Sequence, residues 1–156
     1  MQIKIKTALA HELQKESEEA KRELASIQEY VDKNILDLEE ETIYFIPLQG
    51  SYIHVKRSMV FVGVVVSTMK KSIQGIEGTL KTKLEGYEAE VANVQFEFVP
   101  EFLGKLNYAE GFPIHLEVPV RGLQEDQMIK SSSFQCELSD VKILCINDME
   151  GKNDEN

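Results

Sequence analysis

The chain is poor in the residues that would declare a chemistry. It has two cysteines, Cys136 and Cys145, which stand nine apart with no CxxC pair and no clustered histidine beside them. That spacing excludes a zinc-type ligand set and leaves two buried thiols, because an unpaired cysteine packs as a small hydrophobe. No metal and no cofactor is expected.

Long apolar runs are also missing. The longest, Met59 to Val66, has about the length of one buried strand and is less than half the ~20 residues that a membrane-crossing helix needs. The opening residues Met1-Gln2-Ile3-Lys4-Ile5-Lys6 lack the apolar stretch and small-residue cleavage site of a secretory signal. The expectation is a cytoplasmic protein without a membrane partner.

Catalytic signatures are absent as well. The sequence holds no GxSxG, HExxH, Walker or GxGxxG pattern, and Gly75-Ile76-Glu77-Gly78 is too short for a phosphate loop. His11 falls at the start of a helical pattern, His54 beside Lys56 and Arg57, and His115 on the polar side of a strand pattern. None has a partner in a recognisable motif, and both cysteines stand among apolar neighbours that hold a thiol protonated. The chain is therefore expected not to be an enzyme.

What is present is enough for one core. The 156 residues are 42% hydrophobic and 28% charged, the composition of a folded globular chain. The formal net charge of −10 is unevenly spread: residues 1–7 carry +2, residues 8–50 carry −7, residues 51–84 carry +5 and residues 85–156 carry −10.

From Thr7 to Glu41 the sequence is rich in Glu, Lys, Ala, Gln and Leu, with no Gly or Pro. This composition predicts one long helix. Leu13, Ser17, Ala20, Leu24, Ile27, Val31, Asn34 and Leu38 alternate at spacings of four and three, a heptad seam. The seam either pairs with a second copy as a coiled coil, making Leu13, Ala20, Leu24, Ile27, Val31 and Leu38 an oligomer interface, or packs as an amphipathic stripe on the chain's own β-domain.

After Glu41 the period falls to two. Thr42 to Leu48 and Tyr52 to Lys56 flank Gln49-Gly50-Ser51 and read as a hairpin. Met59 to Thr68, apolar on both parities, reads as a central strand in which Gly63 permits a bend. Residues 73–87 favour a bent strand over a helix. Ala92, Val94, Phe96 and Phe98 alternate with polar residues, and Pro100 ends that strand.

Pro100 to Pro113 is a loop or short helix carrying aromatic residues. Ile114 to Val120 reads as an edge strand because of Pro119, Gly122 to Ser133 as a polar connection, and Phe134 to Asn147 as a last strand bulged near Ser139-Asp140. The resulting expectation is an α+β chain: an acidic helical element over residues 1–41, an antiparallel β-domain over 42–148 forming an OB-like barrel or a sandwich, and a disordered acidic tail over 149–156.

Three binding readings follow. The first is a non-catalytic oligomeric module acting through protein contacts. The second is a single-stranded nucleic-acid binder in which Tyr52 and His54 stack bases while Lys56, Arg57, Lys70, Lys71, Lys81 and Lys83 meet phosphates. Those cations fit equally as partners of the acidic helix or as edge-strand lysines. The third is an acidic inhibitor whose Glu12, Glu16, Glu19, Glu23, Glu39, Glu40 and Glu41 imitate a nucleic-acid backbone.

Overall fold

The computed structural model describes residues 2–7, 17–34 and 38–145. In chain order the elements are β1 (Lys4–Ile5), α1 (Glu18–Asn34), β2 (Ile43–Ile53), β3 (Ser58–Ser67), β4 (Ile73–Leu84), β5 (Glu90–Val91), β6 (Val94–Phe98), α2 (Pro100–Leu103), β7 (Glu110–Arg121), β8 (Gln127–Lys130) and β9 (Phe134–Cys145). The larger sheet has the order β1-β7-β3-β2-β8, with β5 also on β7; the smaller has the order β6-β4-β9. β1 runs parallel to β7 and the other pairs are antiparallel.

The expected α+β chain with a long N-terminal helix is thus corrected to a mostly β protein. Among the described residues strand accounts for 54% and helix for 20%, and the larger sheet curls as a half-barrel beside a separate three-stranded sheet instead of closing as an OB-like barrel.

β3 is the middle strand of its sheet, as its two-sided apolar run predicts. Met59, Phe61 and Val65 turn toward the small sheet, where they join Tyr52, Phe112, Leu80 and Ile76 between the layers. Val64 and Val66 turn the other way, against Ile27 and Val31 of α1. Each such side chain, removed from water on both sides of the sheet, contributes on the order of 1.5–3 kcal/mol.

The helix occupies Glu18–Asn34, 17 residues, about half of the Thr7 to Glu41 span that the composition predicts. It begins where the Ser17 hydroxyl accepts the Ala20 backbone N–H at 3.0 Å, an N-cap bond. Seventeen residues rise ~25 Å, enough to cover most of β3, whose ten residues run ~33 Å; a 35-residue helix would overhang the sheet. At the far end Leu38 still packs on the same core, but off the helix. The Thr68 hydroxyl donates to the Glu39 carbonyl at 2.6 Å, and Glu41 turns left-handed at φ 56° to enter β2. The acidic run at residues 39–41 is therefore a strand-entry turn, and a continuous acidic rod does not form.

The hairpin expected around Gly50 is a second correction. Residues 43–53 form one strand with a bulge between Pro47 and Gln49, and the reversal comes at His54–Lys56, a 3-10 turn closed by Arg57 at φ 52°. Gly50 serves packing, since a Cβ there would overlap the Met59 sulfur and lie 2.8 Å from the Phe134 ring. Gly122 to Ser133, expected to be only a polar connection, contains β8 and buries Leu123 and Ile129.

Other expectations hold. Residues 73–84 form a bent strand with register shifts at Ile73/Gly75 and Glu77/Thr79, and β9 breaks register opposite the second shift, with Asp140 at φ 53°. The edge-strand expectation for Ile114 to Val120 is corrected: β7 lies between β3 and the two short strands β1 and β5, which pair with its two ends, and the Pro119 carbonyl accepts the Ala92 N–H from the outer side. The proposed tail over 149–156 lies outside the described residues, as do Leu13, His11, Glu12 and Glu16.

Candidate functional site

The eight residues singled out for nucleic-acid binding do not share one surface. Tyr52 is buried among Met59, Phe61 and Val118, and its hydroxyl lies 3.1 Å from His54 Nδ1, so its ring is closed to a base. Strand alternation would put Tyr52, His54 and Lys56 on one face, but the strand ends at Ile53 and the 3-10 turn breaks it. The His54 backbone N–H donates to the Asp126 carboxylate at 2.7 Å.

Lys56 and Arg57 are exposed at this hairpin tip, whereas Lys70 and Lys71 lie past the opposite end of β3, roughly 33 Å away for a ten-residue strand. Lys81 and Lys83 are on a different sheet. Three separate places replace the single basic stripe that a bound strand would follow.

The proposed oligomer seam is spent within the chain. Ile27 and Val31 are buried with Ile3, Ile5, Ile46, Val64 and Val66, and Leu24 and Leu38 pack against them. Ala20 is half-buried, and Leu13 lies outside the described residues. The apolar stripe thus faces its own sheet, which corrects the coiled-coil expectation.

The thiols are placed for packing. Cys136 and Cys145 sit nine positions apart along β9, about 30 Å by strand rise, too far to bridge each other. Burial pushes the Cys136 thiol up from 9.0 to about 11, with the Thr82 hydroxyl opposing slightly. Two units above an ordinary thiol means a thiolate population about 100-fold smaller at neutral pH. Cys136 in the native protein is expected to react with a chromogenic disulfide reagent about two orders of magnitude more slowly than the same cysteine in urea, with the native rate climbing until the pH nears 11. Equal rates in the two conditions would contradict this burial. The folded state holds the proton more tightly, so this group's contribution to stability is intact below pH 9 and declines between pH 9 and 11.

A different surface has the features of a site. On β4, Ile76, Leu80, Thr82 and Leu84 are buried toward the core, which leaves Gly75, Glu77, Thr79, Lys81 and Lys83 on the outward face of the small sheet. Strand pairing puts Glu77 between Glu97 of β6 and Lys142 of β9, Lys81 beside Glu137, and Gly75 beside Leu144. Lys142 Nζ stands 3.9 Å from the Glu77 carboxylate.

Around Gly75 lies an open groove of about 360 Å³ walled by Glu77, Val99, Pro100, Lys142 and Leu144. It adjoins a second hollow of about 390 Å³ bordered by Thr79, Gln95, Glu97 and Asp140. Gly75 keeps the floor low; a Cβ would stand 3.3 Å from the Phe98 carbonyl oxygen. Val99 and Leu144 keep 39% and 41% of their surface exposed, an apolar end next to an ionic middle. Comparison with protein-family models, with curated proteins and with solved structures gives no match.

No local motif announces this face, because its residues are drawn from positions 75 to 144 and meet only through strand pairing. One signal lies in the sequence: Val99, just past the end of β6, and Leu144 on β9 fall on the otherwise polar parity. Among the described residues no group of three or more His, Cys, Asp or Glu side chains is arranged to hold a metal, and no helix is long and apolar enough to cross a membrane.

Proposed function

We propose that the protein is a non-catalytic binding module acting through protein–protein contacts, and that the outward face of β6-β4-β9 is the surface it presents. The observation carrying this reading is the asymmetry of the two sheets. On the larger sheet's outer face α1 packs over Ile46, Val64 and Val66 and leaves Val60 and Met128 exposed, while the smaller sheet's outer face bears the groove, two half-exposed apolar side chains and seven charged residues with nothing laid over them among the described residues.

Apolar area flanked by polar groups is the usual makeup of a transient contact surface, in which the apolar part supplies affinity and the charges fix orientation. The groove's side chains are carboxylates, one ammonium, the Thr79 hydroxyl, the Gln95 amide and aliphatic and aromatic groups, with no His or Cys among the described residues beside the hydroxyl to serve as its base. They suit recognition better than nucleophilic chemistry, which requires a nucleophile held against a base.

The test is quantitative affinity capture with the wild-type chain and with a Val99→Asp/Leu144→Arg variant that remains folded. Both positions are already half-exposed, so the effect on stability should stay within about 1 kcal/mol. At least one binding protein retained by the wild type should be lost with the variant. Identical captured sets would refute the assignment of this face.

A further inference from the structure

We infer that the partner at this face is a second copy of the same chain, related by a two-fold axis that crosses the strands at Thr79; this rests on the reading of the face as a contact surface. The inference comes from the charge pattern along β4 and β9. At one level of the sheet the acid is on β4 and the base on β9, as Glu77 and Lys142; four residues along β4 the order is reversed, with Lys81 on β4 and Glu137 on β9.

A two-fold rotation about an in-plane axis perpendicular to the strands lays β4 on β4 and β9 on β9 in opposite directions. It exchanges those two levels. Glu77 of one copy then faces Lys81 of the other, and Lys142 faces Glu137, twice each by symmetry, while Asp140, beside the axis, is brought near its own copy. This is the self-complementarity that an isologous interface requires.

The apolar end fits the same operation. Gly75, Val99 and Leu144 meet the level of Lys83 and Gln135, whose long stems can lie across apolar surface while their polar ends reach water. β4 and β9 are 12 residues long and β6 is five, so the face is about 40 Å by about 10 Å with a further strip of about 17 Å by about 5 Å, or about 480 Å² from each copy. Doubled over the two copies, this is below the standard size of a specific interface and is the size of a weak, reversible dimer.

Sedimentation equilibrium of the full chain over about 1 to 500 micromolar tests this, using charge reversals as the probe. The wild type should move between one and two chain masses. Lys81→Glu and Glu77→Lys should each weaken association by more than about tenfold, since each sets like charges together at two symmetry-related places. The double variant Glu77→Lys/Lys81→Glu should recover it, and an equimolar mixture of the two single variants should form a heterodimer, because Glu77 and Lys81 of the two chains are then complementary again.

Glu77→Lys separates pairing from bulk charge. It brings the net charge from −10 to −8, so a chain governed by overall repulsion would associate more strongly, not less. A wild type that stays monomeric at 500 micromolar, or a dimer indifferent to both reversals, overturns the inference. If the wild type is monomeric while Val99→Asp/Leu144→Arg still loses its captured partner, the face binds a different protein and only the second-copy assignment falls.

Discussion

Val31→Asp is expected to unfold the protein or to lower its urea midpoint steeply, with no intermediate in which the β-sheets survive without the helix. Val31 is 1% exposed, enclosed by Ile3, Ile5, Ile27, Ile46, Val64 and Val66. A carboxylate there has no cation within that cluster to pair with, and burying it costs at least about 3–5 kcal/mol. Domains of this size are stable by about 5–15 kcal/mol, so much of the margin disappears. Ala25→Asp, on the exposed side of the same helix, should change stability by less than about 1 kcal/mol. If α1 were instead an intermolecular seam, Val31→Asp would lower the mass in solution and leave the sheet intact. That outcome would show that the helix does not pack where the structure places it.

Gly63→Ala is expected to be nearly as damaging for the opposite reason. The Phe45 ring lies directly over Gly63, where an added methyl would overlap it, and the ring is also held edge-on against Phe61 with centroids 5.3 Å apart. Overpacking of this kind costs about 1–3 kcal/mol, because the ring cannot move without disturbing both clusters that it bridges. Phe45→Ala alone leaves a void and destabilises as well. The double variant Gly63→Ala/Phe45→Ala should be less unstable than the sum of the two by at least about 1 kcal/mol, since the methyl then occupies space that the ring has left. Strict additivity in denaturant titrations would mean that the ring is not what excludes the side chain.

The elements legible in the sequence are those whose pattern has only one solution. A run apolar on both parities, Met59 to Thr68, has to lie between two layers. The change of parity near Ser139-Asp140 has to be a bulge, since a slip of one residue would turn the apolar side outward. Gly50 was misleading, because a glycine demanded by a neighbouring side chain and one demanded by a turn look alike until the neighbour is known. The heptad was misleading too: a coiled-coil seam and a stripe packed on a sheet share a spacing, and only Ile46, Val64 and Val66 decide between them. β1 and β8, of two and four residues, are too short to show any period. The candidate face was hidden for a further reason, since the pairing of Glu77 with Lys142 is a property of register and not of sequence proximity.

The pairing of β1 has a consequence for the order of events during synthesis. Lys4 and Ile5 find their partners at Glu110 and Gly111, and Gln28 ties the helix to the same strand by accepting the Ile5 N–H and donating to the Ile3 carbonyl, both at 2.8 Å. The chain must therefore be made as far as Gly111 before β1 has a strand to pair with. Until then the apolar side of α1 can be covered only in part, by β2 and β3. Such late, long-range closure slows folding and lengthens the time during which Ile3, Ile5 and Ile27 are open to chaperones or to aggregation. A nascent chain stalled just before β7 should be the most chaperone-dependent species this protein forms.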